Sequence, residues 1–565
     1  MSRNRLRKFI KKLFSSVESH EIEPDEIFLD SSNLPSFDTS QFEGRLEHPI
    51  SKNTILAFGI IVSLLMVLFA ARLWNLQVVR GDDFSIKSED NRLTHSILFA
   101  ERGVIYDRNG VELAWNEEEE GEQFSRRIYT ESLGVSHVLG YVGYPLKDSA
   151  GFYYRDYFVG KDGVEFSLNE MIKGENGLKI VEVDALNTPK SESTIRSQID
   201  GESVDLSIDA RLSESLYSLI KNRALESGFV GGAGVVMDVV TGEILALSSY
   251  PEYDPQVLSD GEDKETIASF VENSRKPFLN RVVSGLYTPG SIVKLFVAIG
   301  ALTEGVITPE KRILSTGSIR VPHPYIPDTF SVFNDWKAHG LVDMRDALAV
   351  SSNVYFFEIG GGFEGQSGIG ISGIEEYAKL FGLGAPTGIA LSDEAIGVIP
   401  TPEWKAETFD GDDWRLGDTY NTSIGQYGFQ VTPIQIVRMI SAIANNGRLL
   451  VPTLIKDGGT RSEEINVSDI NLQVIREGMR RGVLSGTATA LNSNIVDVAA
   501  KTGTAEVGIR KKFVNSWVTG FFPYEDPRYA FAIIMERGPT GNPVGAASVM
   551  RGLLEWLSIY GVEYI

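Results

Sequence analysis

Thr288-Pro-Gly-Ser-Ile-Val-Lys-Leu-Phe-Val-Ala-Ile-Gly-Ala-Leu302 is the stretch on which the reading of the chain turns. Pro289-Gly290 marks a turn, and the run beyond it is apolar on every side up to Gly305. A helix without a polar face is a buried helix. This one still carries Ser291 in its first turn and Lys294 one turn later. Residues three apart share a helix face, so hydroxyl and amine are able to meet. An amine in an apolar helix loses hydration, which favours its neutral form. A neutral amine takes a proton from a serine, and a serine at a helix N-terminus lies near free backbone N–H groups. That is the outline of an acyl-transfer nucleophile. A capping serine and a snorkelling lysine carry the same letters, so the rest of the chain has to decide.

At 565 residues the chain is long enough for more than one domain, and 42% hydrophobic residues suffice for real cores. A net charge of −23 argues against a nucleic-acid partner, since phosphate binding needs a basic surface. With no cysteine, disulfides and thiolate metal sites are excluded. The six histidines are scattered, none at H-x-x-x-H spacing, so no histidine metal site is expected.

Residues 1–14 set Leu6, Phe9, Ile10, Leu13 and Phe14 among six basic residues. The pattern suits a basic amphipathic helix on an anionic membrane surface, or a disordered basic tail. Residues 15–52 turn acidic and polar, as a linker does. Between Lys52 and Arg72 lies the uncharged run NTILAFGIIVSLLMVLFAA, which predicts a membrane span over 53–76. It starts too far into the chain for a cleaved signal peptide and reads as a retained signal-anchor. Local charge counting leaves its orientation open. The basic segment at 1–14 favours an N-terminus on the cytoplasmic side and the acidic bulk outside.

Residues 77–200 read as a small α+β region. RGVIYDRNG (102–110) predicts a strand ending in an Asn109-Gly110 turn, and GKDGVEFSLNEMIKGENG (160–177) one short helix before a strand. The acidic run Glu117–Glu122 reads as a solvated loop. From 201 to 565 the pattern changes. A hairpin of two apolar strands turns at 240–242, helices are expected over 291–304, 344–360, 373–381, 433–446 and 470–482, and three strands and a helix close the chain. This predicts one antiparallel sheet, with a helical insert on one face and a terminal helix on the other.

Two further pieces complete a constellation. Ser351-Ser352-Asn353 offers a hydroxyl and an amide between two helical stretches. Lys501-Thr502-Gly503-Thr504 lies inside a strand pattern, where a glycine lets another backbone approach closely. A peptide adding alongside such a strand would find Lys501 and two threonine hydroxyls for a carboxylate. S-x-x-K, S-x-N and K-T-G in this order form the known motif set of class A β-lactamases and penicillin-binding proteins.

With RGVIYDRNG, GKDGVE, the 231–255 hairpin, TPGSIVK, SSNVYF, GDTYNTSIGQ, VTPIQ, KTGTAE and NSWVTGFFP, the chain resembles a class B penicillin-binding protein from the span onward. FNDWKAHG and GDTYNTSIGQ are similar to the elongation branch, penicillin-binding protein 2. The resemblance implies a membrane-anchored α+β chain: a pedestal of dimerisation type over 77–200, then a β-lactamase/transpeptidase-like domain over 201–565. It implies peptidoglycan D,D-transpeptidation without a cofactor or metal. Ser291 would attack the penultimate D-alanine carbonyl and Lys294 would be its base. Ser351 and Lys501 would relay protons, and Asn353 would hold the substrate amide. Backbone N–H groups of Ser291 and Thr504 would form the oxyanion hole, and Thr502, Gly503 and Thr504 would bind the terminal carboxylate. Implied partners are stem peptides, β-lactam antibiotics, a SEDS-family glycan polymerase and elongation-complex proteins of the inner membrane. Between the span and the transpeptidase-like domain there is no room for a glycosyltransferase domain, and the stretch after LAWN (113–116) looks shorter than a usual pedestal head.

Three other readings share the motifs. A β-lactamase needs a deacylating glutamate, and Glu165-Phe-Ser-Leu-Asn169 has the letters E-x-x-L-N but precedes the nucleophile. A β-lactam sensor needs an output domain, for which residues 1–52 are too short. A silent scaffold would not need the triple intact. Asp410, Asp412 and Asp413 resemble a calcium loop only loosely and read as surface.

Overall fold

In the computed structural model the uncharged run forms a helix, α1 (Lys52–Trp74), capped by Ser51, whose hydroxyl accepts from the Thr54 N–H at 3.2 Å. A single π turn extends it to Val79, giving 28 residues, none of them buried. At ~1.5 Å per residue this is about 40 Å, enough for a ~30 Å hydrocarbon core. The structure describes residues 50–565 apart from 85–92, 184–188, 324, 325, 327, 509, 510, 542 and 543. The amphipathic segment expected over 1–14, and nearly all of the linker after it, lie outside the described residues. Met1–Asn91 and Arg92–Ile565 are two separate units.

The second unit begins with small sheets. Leu93–Leu98 pairs antiparallel with Gly177–Val183, which pairs with Pro189–Arg196. RGVIYDRNG supplies the strand Ile105–Tyr106 and turns into Glu112–Glu117, with Asp107 Oδ1 accepting from the N–H groups of Asn109 (2.7 Å) and Val111 (2.9 Å). The single helix expected after Gly160 is two short ones, Gly163–Ser167 and Asn169–Ile172. Between them and the sheet Glu165 is fully buried, taking Arg102 Nε at 2.5 Å and Arg127 Nε at 2.8 Å. Burial alone would raise its pKa. The two guanidinium groups outweigh that and hold it below the usual glutamate range. Its letters E-x-x-L-N therefore belong to a structural ion-pair cluster.

Next in the chain is the five-stranded sheet. After α2 (Ala210–Ser227) come β1 (Gly231–Asp238) and β2 (Ile244–Tyr250), the expected hairpin. The helical insert holds α3 (Lys294–Thr303), α4 (Met344–Val350), α5 (Asn353–Gly361), α6 (Pro433–Ala444) and α7 (Asp469–Ser485). The chain returns through β3 (Ala499–Val507), β4 (Phe513–Phe522) and β5 (Tyr529–Pro539) and closes on α8 (Ala546–Tyr560). The order β2-β1-β5-β4-β3 is antiparallel throughout and leaves β3 at an edge.

Period-two alternation splits this sheet between two cores. Ala530, Ala532 and Ile534 of β5 join Val235 of β1 and the apolar side chains of α3 and α6. Phe531, Ile533 and Met535 face the other way, onto Leu216 and Ile220 of α2 and Leu553 and Leu554 of α8. The expected arrangement holds, except that α2 shares the second face with α8. The helical stretch expected over 344–360 is interrupted where a loop between helices was expected: Ser351 takes a left-handed φ of +60° and Ser352 caps α5 by accepting from Tyr355 N. The short helices Pro255–Asp260 and Pro402–Thr408 went unforeseen, although Asp254-Pro255 and Thr401-Pro402 are each a cap followed by a first-turn proline.

Replacing Glu165 by Gln leaves two buried arginines without a counter-charge. The expected loss is about 3–5 kcal/mol of unfolding free energy. Denaturant titration of the full-length variant measures it, and the lifetime of any covalent penicillin adduct should not change.

Candidate active site

The three predicted motifs meet at one cleft of about 1120 Å³, lined by Ser291, Ser351, Asn353, Thr502, Gly503 and Thr504. Ser291 is not in the α-helix itself. Gly290–Val293 forms one 3-10 turn, and α3 starts at Lys294. Gly290 has φ +58°, which favours glycine. Close approach fixes this turn from two sides. A Cβ on Gly503 would stand 2.7 Å from the Pro289 carbonyl oxygen, and one on Gly425 would stand 2.1 Å from that of Gly290. Gly290 N–H donates to Gly425 O at 3.0 Å, and Trp517 Nε1–H to Thr288 O at 3.1 Å. The backbone that Gly503 admits beside β3 is thus the chain's own turn that carries Ser291.

Lys294 is fully buried under the cleft. Its Nζ donates to Asn353 Oδ1 at 2.7 Å, Ser351 O at 2.9 Å and Ser351 Oγ at 3.4 Å. The three-residue spacing allowed a contact with Ser291, but the amine turns to the Ser351–Asn353 turn, where three acceptors match its three donors. Among the described residues no hydrogen bond joins Ser291 Oγ to Lys294 Nζ. Lys501, also buried, donates to Ser351 Oγ at 2.9 Å and Thr502 O at 2.8 Å. One hydroxyl therefore lies between two buried amines, and Ser351, unlike either lysine, lines the cleft.

Burial pulls the Lys294 pKa down to about 7, with the Asp335 carboxylate partly opposing it. Burial and the charge of Lys294 push Lys501 well below the usual lysine range. Two ammonium groups on one hydroxyl repel strongly in a low-dielectric interior. The pair therefore holds fewer than two protons near neutral pH, and Ser351 can pass one between the amines and the cleft.

On β3 the alternation sets Thr502 and Thr504 toward the open side, while Lys501, Gly503 and Ala505 are buried. Thr502 Oγ1 donates to or accepts from Thr487 Oγ1 at 2.6 Å, and Thr487 also lines the cleft. Thr487 went unforeseen, as did the segment Asn334–Trp336 on the facing wall, which lies within FNDWKAHG. Asp412, with Asp418, accepts from Lys405 Nζ at 2.9 and 2.8 Å.

Residues 232–555 match the penicillin binding protein transpeptidase domain, and residues 120–206 match the penicillin-binding protein dimerisation domain. The chain belongs to the penicillin-binding proteins. Within them it is of the class B, penicillin-binding protein 2 type. The peptidoglycan D,D-transpeptidase MrdA of Haemophilus influenzae is 27% identical, over 93% of this chain and 94% of its own. The penicillin-binding protein 2 of Helicobacter pylori, solved in complex with MreC, superposes with a TM-score of 0.70 at 27% identity and covers 84% of this chain and 100% of that one. A chain of a peptidoglycan synthase complex that coordinates polymerization and crosslinking gives 0.71 at 26% identity, covering 90% and 98%. This penicillin-binding protein is a membrane-anchored one, by its long apolar helix and its relatives.

The geometry sets three expected outcomes. Acylation by a penicillin should rise with pH through about 7, as Lys294 loses its proton, and then level off. Lys294→Ala should lower the plateau by about 10²–10⁴-fold, the usual span for a lost general base. Stopped-flow acylation across pH reads both. Gly503→Ala sets a Cβ against Pro289 O and should slow acylation about tenfold or more while cooperative unfolding is kept, since the backbone that carries Ser291 has to move. Parallel acylation and thermal-melt measurements check it.

Proposed function

We propose that the chain cross-links peptidoglycan by D,D-transpeptidation through an acyl-enzyme on Ser291. What carries the reading is the convergence of Lys294 and Lys501 on the Ser351 hydroxyl, at the wall of the cleft that Ser291 lines. Neutral Lys294 takes the proton as Ser291 Oγ attacks the penultimate D-alanine carbonyl. The oxyanion is held by the N–H groups of Ser291 and Thr504. Asn353 orients the scissile amide. The proton returns through Ser351, with Lys501 behind it, to the nitrogen of the departing D-alanine, whose carboxylate rests on Thr502, Gly503 and Thr504. An acceptor amine then occupies the leaving amine's place, gives its proton back along the same path and frees Ser291. Water in that position gives a weak carboxypeptidase side reaction.

The span at 53–76 anchors the chain in the inner membrane, with its first residues cytoplasmic, the pedestal over 77–200 and the catalytic part over 201–565 outside. The likeness to the synthase-complex chain, over most of both lengths, supports a role in elongation beside a SEDS-type glycan polymerase. β-Lactams would acylate Ser291 as substrate mimics.

The test is the time course of a fluorescent penicillin on the detergent-solubilised full-length chain, wild type beside Ser291→Ala. A stable label on the wild type, absent from the variant, is the expected result. A label that clears within seconds would point to a β-lactamase, and no label on either chain would leave only a scaffold.

A further inference from the structure

The cleft wall that the motifs did not announce is the short segment Asn334–Trp336, which begins at the end of the strand Phe330–Asn334. It grips the Ser351–Asn353 turn from both sides. On the near side Trp336 Nε1–H donates to Val350 O at 3.2 Å. On the far side Asn353 Nδ2 donates to Asn334 O at 3.4 Å. Between these, the Asp335 side chain, with no exposure, accepts at Oδ2 from Ser352 Oγ (2.9 Å), Val354 N (3.0 Å) and Ser315 Oγ (3.2 Å), and at Oδ1 from Trp336 N (2.8 Å). We infer that Asp335 is a positioning residue for the reaction, one that locks the Ser351–Asn353 turn and sets a fixed negative charge behind Lys294. The inference rests on the roles of Lys294 and Ser351 proposed above.

Ser351 has a left-handed backbone, which a serine does not hold unaided. Its neighbour Ser352 is the residue that Asp335 grips, and Ser352 Oγ also caps α5 through Tyr355 N at 3.3 Å. The carboxylate thus fixes the one place where two helices end and begin, and Ser351 and Asn353 ride on it. Charge acts alongside this geometry. Burial alone would raise the Asp335 pKa, but the hydrogen bonds from Val354, Asn353 and Ser352 outweigh it and keep the group ionised. Among the described residues, the charged and titratable groups that interact with Lys294 are Asp335 and His339 from this segment and the residues after it, and Lys501 from β3. His339, four residues on from Asp335, lies with Nε2 3.6 Å from Asp335 Oδ1, and burial lowers its pKa although the Asp335 carboxylate opposes this. Asp335 is the anion of this set, and its field favours the proton on Lys294. It stops burial from lowering that amine so far that it would no longer return a proton to a leaving group.

The experiment compares wild type, Asp335→Asn and Ser352→Ala, each as the full-length chain in detergent, by penicillin acylation across pH. Asp335→Asn keeps the shape and removes the charge. The plateau rate should fall about tenfold or more, and the acid limb should move to lower pH than the wild-type limb. Asp335→Glu should restore the limb more than the rate. Ser352→Ala keeps the charge and removes the hydroxyl's hydrogen bonds to Asp335, Tyr355 N and Ser315, so the rate should fall with the limb unmoved, and this variant decides the positioning half should Asp335→Asn not unfold cooperatively. A limb that stays in place in Asp335→Asn, or a wild-type rate in Ser352→Ala, overturns the inference. A wild type without label, or one indifferent to Lys294→Ala, overturns instead the reading on which it rests.

Discussion

Everything at the cleft depends on two amines having been taken out of water. Lys294 and Lys501 are carried by elements whose other side chains make the core, so their burial comes from the packing of α3 and β3 against the sheet. An unpaired buried ammonium is costly, and the structure answers with acceptors. Carbonyls of Ser351 and Thr502, the amide oxygen of Asn353 and the Ser351 hydroxyl take up the donors. The same acceptors place the amines where a proton can travel. Stability of the core and basicity of the site are therefore two consequences of one arrangement.

The second constraint is close approach. Ser291, Ser351 and Lys501 are far apart in sequence, and side-chain attraction alone would not hold three backbones in contact. Glycine at 290, 425 and 503 lets turn, loop and strand touch backbone to backbone. β3 meanwhile keeps one edge unpaired, which is ordinarily a liability. Here the edge lies in a cleft and carries Thr502 and Thr504 on its open side, where an extended peptide rather than a second protein would find room.

What was legible in the sequence was whatever a period or a breaker marks. The apolar run of α1, the all-round apolar α3, the hairpin about 240–242 and the strand around Gly503 all declare themselves in this way. Ser291, Ser351, Asn353 and Lys501 could be gathered because the motifs stand in order. Competition between partners was not legible. Spacing allows Lys294 to reach Ser291, yet only the folded chain shows that the Ser351–Asn353 turn offers better acceptors. The loop at Ser351 was legible as a place between helices, but its cause, a single left-handed serine, was not. The clasp at Asn334–Trp336 was hidden because the strand Phe330–Asn334 that leads into it is short and largely exposed, so no hydrophobic pattern marks it.

The fate of an acyl-enzyme turns on which carboxylates are free to activate water. Glu165, the one glutamate with a β-lactamase-like sequence around it, is locked between Arg102 and Arg127. Among the described residues, the acidic ones at the cleft wall are Asp335, whose side chain is unexposed, and Glu506. Asp335 has both oxygens engaged by hydrogen-bond donors, and Glu506 is paired with Lys511 at 2.7 Å. Neither is placed as a spare base. The proton acceptors that remain are the two amines behind Ser351, reached through a hydroxyl that a leaving or arriving amine would contact directly. On the proposed mechanism an acyl-ester here would have no free carboxylate beside it to activate water, which would favour the amine transfer that cross-linking requires. The difference between a transferase and a hydrolase on this scaffold then lies less in the nucleophile than in the occupation of every nearby carboxylate.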